Sequence, residues 1–242
     1  MLNKKNFYIN GKWVTPIEPR SFKVIDPSNE EPCAEISLGG KKDVDEAVSA
    51  AKKSFETWAF SKKEERLELL EKLYVVYKKR WAEMAKLIST EMGAPMKFST
   101  EMQAATGASH IKSFKNILKD FKFEKDLGEE KNNQKLLYEP KGVCALITPW
   151  NWPINQVNLK VIPALASACT VVLKPSEIAP LSSMLLAEMI DEVKFPAGVF
   201  NLVNGDGAIT GDALTSHPDV DMISFTGSTR AGALISQNAA KD

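Results

Sequence analysis

Cysteine and histidine are scarce in this chain, with three of the first and two of the second among 242 residues. Cys33, Cys144 and Cys169 stand far apart with no paired spacing, which argues against both a disulfide framework and a zinc site. His110 and His217 add too little to build a metal centre, so no metal is expected. An excess of either charge is absent as well. Lys plus Arg and Asp plus Glu each number 31, so no net field draws the chain to nucleic acid or to an anionic membrane. No run of about 18 apolar residues occurs, which removes a membrane-spanning helix. The opening Met1-Leu2-Asn3-Lys4-Lys5-Asn6 leads into a turn and not into an apolar stretch; it does not read as a secretory signal, and a cytoplasmic location is expected. Internal repeats and low-complexity tracts are missing too. What remains is ordinary globular composition, 44% hydrophobic and 26% charged, enough for a sizeable core in one large domain or two modest ones.

Extended segments come first. Phe7 to Val14 predicts a hairpin, because Asn10-Gly11 is the favoured pair for a tight turn that needs positive φ. A second extended stretch runs from Ser21 to Leu38, broken by the turn cluster Asp26-Pro27-Ser28-Asn29. Helical spacing takes over from about Lys42 to Lys119. Asp43 reads as the cap of a helix with Val44, Ala47, Val48, Ala51 and Phe55 on one face, and Ser61 with Glu64 as a capping box for the next. Leu67, Leu70, Leu73, Val76 and Tyr77 form the following buried stripe, Gly93-Ala94-Pro95 ends it, and a third helix is expected from Lys97 to Leu118. Phe121 to Lys135 is charged and rich in Glu, Lys and Asn, as suits an exposed connection or hairpin arm.

From residue 142 the rhythm changes. Val143–Thr148, Thr170–Lys174, Val199–Val203 and Asp221–Phe225 are β-rich runs, separated by helical patterns at 153–168, 180–193, 208–216 and 228–240. Strand and helix alternating in this way imply an α/β fold built on a doubly wound parallel sheet, Rossmann-like, with ligands at the carboxyl ends of the strands. Each strand end carries a polar or glycine-rich loop: Thr148-Pro149-Trp150-Asn151-Trp152-Pro153, Lys174-Pro175-Ser176-Glu177, Asn204-Gly205-Asp206-Gly207 and Thr226-Gly227-Ser228-Thr229. Four such ends in succession point to a nucleotide. Gly227 lets backbone approach a phosphate, and Ser228 and Thr229 offer hydroxyls at a positive helix end. The plainer reading of Thr-Gly-Ser-Thr is a helix cap, Gly232 suiting close packing against the sheet.

The strings Thr148-Pro-Trp-Asn-Trp-Pro153, Lys160-Val-Ile-Pro-Ala-Leu-Ala166, Thr170-Val-Val-Leu-Lys-Pro-Ser-Glu177 and Phe225-Thr-Gly-Ser-Thr229 together resemble the aldehyde dehydrogenase superfamily, in order and at matching separations. Tyr8-Ile9-Asn10-Gly11-Lys12-Trp13 and Asp26-Pro27 are similar to it as well, so the resemblance covers essentially the whole chain. It implies an amino-terminal β hairpin region and helices over 1–120 packing on a coenzyme domain, a connecting arm over 121–141 that takes part in oligomerisation, and an incomplete NAD-binding domain over 142–242. It also implies residue roles. Lys174 and Glu177 would bind the adenosine ribose hydroxyls with Ser176 between them, and a carboxylate there would repel a 2′-phosphate, favouring NAD over NADP. Ile147, Thr148, Pro149 and Trp150 would line the ribose side, and Gly207 would permit approach near the adenine. The segment Phe225, Thr226, Gly227 and Ser228, with Trp150, would meet the pyrophosphate region. The Gly-x-Gly-x-x-Gly fingerprint is absent after the first strand, a departure the resemblance itself implies.

Asn151 is the directly catalytic residue that the resemblance implies. Its amide would hold the oxyanion formed when a cysteine thiolate attacks an aldehyde; the alternative is that it caps the next helix. Lys160 would support the site electrostatically or stand as an exposed helix lysine. The family's nucleophilic cysteine and glutamate base are expected beyond Asp242, and the three cysteines here read as small buried hydrophobes. The expected activity is NAD-dependent oxidation of an aldehyde to a carboxylic acid through a cysteine thiohemiacetal in a full-length parent, a homo-oligomer acting on a small-molecule aldehyde. The chain as given is expected to be inactive by itself. The alternatives are a non-catalytic dinucleotide-binding or interaction fragment, and a coenzyme A-acylating dehydrogenase. Ala168-Cys169 departs from the family's common Gly-Asn or Gly-Cys and touches no site residue.

Overall fold

The computed structural model describes residues 1–128 and 134–240. Three short strands open the chain, β1 (Leu2–Lys4), β2 (Phe7–Ile9) and β3 (Lys12–Val14), followed by β4 (Arg20–Asp26) and β5 (Glu31–Leu38). β2 and β3 form the hairpin that Asn10-Gly11 predicts, with φ of 52° and 72° at the two turn residues, the left-handed pair that matches the twist of the flanking strands. β4 and β5 pair antiparallel, and β1 joins the far side of β5. Asp26 makes their turn by accepting the Ser28 N–H on its carboxylate at 2.8 Å.

Five helices follow: α1 (Lys41–Trp58), α2 (Lys63–Lys79), α3 (Trp81–Met92), α4 (Met96–Phe98) and α5 (Ala104–Asp120), the last two joined by a π-helical turn at Ser99–Gln103. Two capping expectations fail. Gly40, not Asp43, caps α1; the Asp43 carboxylate accepts the N–H of Gly40 at 2.9 Å and that of Ile17 at 2.8 Å, pinning an earlier loop to the helix start. Ser61 and Glu64 form no capping box, because the Ser61 hydroxyl accepts from the guanidinium of buried Arg66 at 3.0 Å, and Lys62 holds the cap position without a side-chain bond. Arg66 also donates to the Ala166 carbonyl at 3.0 Å, so a tertiary tie outcompetes the local cap. The expected single run up to Gly93 breaks at Arg80, whose guanidinium bridges Glu83 and Glu188. Gly93, at φ 77°, terminates α3.

An exposed two-stranded arm, β6 (Glu124–Asp126) with β7 (Lys135–Leu137), leads into the alternating half; part of the expected arm, 129–133, lies outside the described residues. There β8 (Val143–Ile147), α6 (Pro153–Ala166), β9 (Thr170–Lys174), α7 (Leu181–Val193), β10 (Phe200–Leu202), α8 (Asp212–Thr215), β11 (Met222–Phe225) and α9 (Thr229–Ala239) follow in order, with a π-helical turn at Gly207–Gly211 before α8. The sheet runs β11-β8-β9-β10-β2-β3, its first four strands parallel. The amino-terminal hairpin is therefore part of the same sheet: β2 pairs antiparallel with β10, and Asn201 Oδ1 accepts the Asn10 N–H at 2.9 Å.

All residues of β8 and β9 are buried, as strands covered on both faces require. Alternate side chains divide between two cores. Cys144, Leu146, Val171 and Leu173 pack with α2, α6 and α7; Val143, Ala145, Ile147 and Val172 pack with Val44, Ala47, Val48 and Ala51 of α1. The α/β architecture with a doubly wound parallel sheet thus holds, and an early helix supplies the cover of one face.

Candidate functional site

Phe225, Ile147 and Lys174 are register partners at the carboxyl ends of three adjacent parallel strands. The ladder stays closed one residue further, Thr226 N–H donating to the Ile147 carbonyl at 3.1 Å and Thr148 N–H to that of Lys174 at 3.3 Å. Beyond those bonds the loops diverge, and a cleft of about 320 Å³ opens between the Gly207–Gly211 turn and α9. Ile147, Lys174, Gly207 and Phe225, from four different strand ends, line it.

Local chemistry explains the walls. Lys174 is only 4% exposed. Its ammonium donates to the Gly205 carbonyl at 2.5 Å and the Pro175 carbonyl at 3.1 Å, with Glu177 Oε2 at 3.7 Å. Burial holds its pKa below the ordinary lysine value, with Glu177 and Asp206 opposing that fall. Asp206 caps the π turn by accepting the Ile209 N–H at 2.8 Å and is paired with Arg20 at 2.6 Å. That pairing draws its pKa down against the cost of burial. A Cβ on Gly207 would meet nothing within 4 Å, so this backbone faces open cleft.

On the opposite wall a Cβ on Gly227 would overlap the ring of Phe225; glycine is required for that ring to lie over the loop. Ser228 caps α9, its Oγ accepting the Ala231 N–H at 3.2 Å, so both readings of Thr-Gly-Ser-Thr coexist: the cap is real, and it sets the positive end of α9 at the cleft. Asn238 closes the far end by donating to Asp212 at 2.7 Å.

The loop after β8 passes from half-buried Pro149 to exposed Trp150 and Asn151. Asn151 does not cap α6. Trp152 holds that position without a side-chain bond, and the Asn151 amide has no hydrogen-bond partner among the described residues. Trp152 packs edge-on against Phe98, ring centroids 5.5 Å apart. Lys160 departs from the exposed-lysine reading: it is half-buried and donates to Ser224 Oγ of β11 at 2.9 Å, and burial lowers its pKa. Ser176 turns inward, accepting the Ile178 N–H at 3.3 Å, and does not line the cleft. Thr148, Pro149, Trp150, Glu177, Thr226, Gly227 and Ser228 border the lining residues without lining the cleft themselves.

Sequence reasoning missed Arg230, Leu234 and Asn238 of α9, which share the cleft wall. Their four-residue spacing is one helical face, and it was available as a signal. The cysteines lie apart from this region: Cys144 and Cys169 are buried at neighbouring strands, and Cys33 is half-buried with its thiol toward the Val24 carbonyl at 3.3 Å.

The cleft's chemistry fits a dinucleotide. Its floor is apolar, and an unobstructed glycine backbone and the first turn of a helix face one another across it. A parallel α/β sheet with a cleft at its strand ends is the arrangement that nucleotide-binding folds share. The aldehyde dehydrogenase family profile matches residues 13–242, and the chain belongs to that family. It is 50% identical over 241 residues to a 3-succinoylsemialdehyde-pyridine dehydrogenase of a Pseudomonas species, covering 99% of this chain and 50% of that protein. The crystal structure of an aldehyde dehydrogenase from Bartonella henselae matches with a TM-score of 0.97 and 58% identity, covering 100% of this chain and 51% of that one. A mutant aldehyde dehydrogenase from Pseudomonas syringae, solved with NAD+ and octanal, matches with a TM-score of 0.95 and 44% identity over 98% of this chain and 48% of that one. The chain spans about half the length of the curated relatives it matches, and it corresponds to their amino-terminal half.

Proposed function

We propose that the protein carrying this chain oxidises an aldehyde to a carboxylic acid with NAD, and that residues 1–242 supply the coenzyme cleft and the amide that holds the oxyanion. What supports this reading is one loop: it leaves Ile147 in the cleft wall and, four residues on, carries Asn151, exposed and with no hydrogen-bond partner among the described residues.

Each residue then has a task. Ile147, Phe225 and Leu234 offer apolar surface to a flat base, and Gly207 admits it without a side chain in the way. Lys174 and Glu177 face the adenosine ribose as donor and acceptor, and the Glu177 carboxylate disfavours a 2′-phosphate, so NAD is preferred to NADP. The α9 amino terminus, with Gly227 and Ser228, takes the pyrophosphate, helped by Trp150. NAD, when bound, supplies a hydride acceptor. Asn151 donates its N–H to the oxygen that becomes negative when a thiolate adds to the aldehyde carbon, and Lys160, tied to Ser224, adds positive charge behind that loop. The nucleophile and the general base are expected outside residues 1–242, which makes this chain alone inactive.

Incubation of the complete protein with NAD and a panel of aliphatic aldehydes tests the reading. NADH is expected from at least one of them; no NADH from any aldehyde would overturn it.

A further inference from the structure

The cleft wall that carries Gly207, Ala208 and Gly211 lies beyond the hydrogen-bond ladder of the sheet. That ladder closes after β10 with the Val203 N–H on the Leu173 carbonyl at 3.0 Å. From Asn204 onward the chain is held by bonds to other segments. The Asn204 carbonyl accepts the Gly39 N–H at 2.8 Å, the Gly39 carbonyl accepts the Thr210 hydroxyl at 2.5 Å, and the Gly205 carbonyl accepts the Lys174 ammonium. Thr210 and Gly211 are buried by this seating, whereas Gly207, Ala208 and Ile209 stand exposed.

One side chain braces the exposed part. Arg20 opens β4, opposite Leu38 of β5, in the three-stranded sheet and not in the sheet that ends at the cleft. Its Nη1 donates to Asp206 Oδ2 at 2.6 Å and its Nη2 to the Gly39 carbonyl at 2.9 Å. Asp206 accepts the Ile209 N–H on its other carboxylate oxygen and the Gly211 N–H on its backbone carbonyl. A guanidinium is a rigid fork, so it fixes Asp206 relative to Gly39, and Asp206 fixes the turn. Among the described residues Arg20 is the one cation within ion-pair distance of Asp206. Without that brace the turn would keep freedom that a ligand settling on it must remove, and such ordering subtracts from affinity.

We propose that Arg20 is a positioning residue for the coenzyme: acting only through Asp206, it holds the Gly207–Gly211 turn at the spacing that admits the adenine end of NAD. This rests on the coenzyme reading of the cleft given above. It ties a strand of the small amino-terminal sheet to coenzyme affinity.

The test measures, in the complete protein with an aldehyde substrate, kcat, KM for NAD and the Ki of AMP competing with NAD. AMP carries the adenine end alone. In Arg20→Ala both KM for NAD and the Ki of AMP are expected to rise roughly fivefold, the effect of losing one partly exposed charged pair, while kcat at saturating NAD changes less than twofold. Arg20→Lys keeps the charge but not the fork and is expected to recover part of that loss. Asp206→Asn keeps an acceptor for Ile209 and is expected to match Arg20→Ala, with the double variant losing no more than either single one. An unchanged Ki of AMP in Arg20→Ala overturns the proposal. So do losses that add in the double variant, because Arg20 would then act by another route, and so does a fall in kcat in step with affinity, the mark of general damage to the fold. If the unaltered protein neither uses NAD nor binds AMP, it is the coenzyme reading itself that falls, and this proposal with it.

Discussion

Glu91 is fully buried in α3, and its carboxylate accepts the N–H groups of Leu181 and Ser182, the latter at 3.1 Å, in the first turn of α7. It thereby fixes the end of the loop that carries Lys174, Ser176 and Glu177. Two effects oppose one another there. The N–H donors and the positive end of α7 favour the ionised form, while removal from water penalises it. Burial wins, and the carboxyl is pushed up from 4.5 to about 7. In the unfolded chain the proton leaves near the ordinary glutamate value, so between pH 4.5 and about 7 the folded state holds more protons than the unfolded one. Stability must then be greatest below that window and fall as pH rises through it. The displacement corresponds to about 3 kcal/mol. Urea unfolding of this chain and of Glu91→Gln, followed by circular dichroism at a series of pH values, isolates the effect. The stability of the unaltered chain minus that of the variant is expected to drop by about 3 kcal/mol across the window and to stay level above it. A difference that rises with pH would refute the reasoning, because it would mean that the two N–H donors outweigh desolvation.

Three further outcomes are expected. Asn151→Ala in the complete protein should lower kcat by about 10²–10³-fold, with NAD affinity, measured by calorimetry, unchanged; a matching loss of NAD affinity would place Asn151 in coenzyme binding instead. Glu177→Gln should raise NADP affinity about tenfold by removing one charge from the ribose end of the cleft; equal NADP affinities in both forms would show that the carboxylate does not face the 2′ position. Gly227→Ala forces the Phe225 ring to move, so a stability loss of about 1–3 kcal/mol and weaker NAD binding should appear together, and unaltered binding would remove the ring from the coenzyme wall.

Features decided within a few residues were legible in the sequence. Asn10-Gly11 specifies its turn without outside help, and the apolar runs of β8 and β9 announce burial on both faces. The convergence of strand-end loops was readable because parallel order by itself brings consecutive carboxyl ends to one edge. Features decided by distant partners were not legible. Asp43 and Ser61 carry sound local capping signals, yet Asp43 acts from the third position of α1 with one oxygen taken by Ile17, and Arg66, reached only through the fold, takes the Ser61 hydroxyl. The burial of Lys160 depends on Ser224 of β11, and nothing in α6 discloses it. The cleft-lining side of α9 was visible as a helical spacing, but spacing by itself does not distinguish a cleft wall from a core face.

The seat of the amino-terminal hairpin has a bearing on how the chain acquires its shape. Asn10 and its anchor Asn201 are 191 residues apart, so during synthesis the hairpin waits for a far later segment before it can dock. Until then the Tyr8 ring lacks its neighbour Phe200, 6.3 Å away between centroids, and contacts of such long separation form slowly. A ribosome-bound chain halted before β10 should therefore expose a sticky leading end to chaperones, and completion of a single short strand should withdraw it.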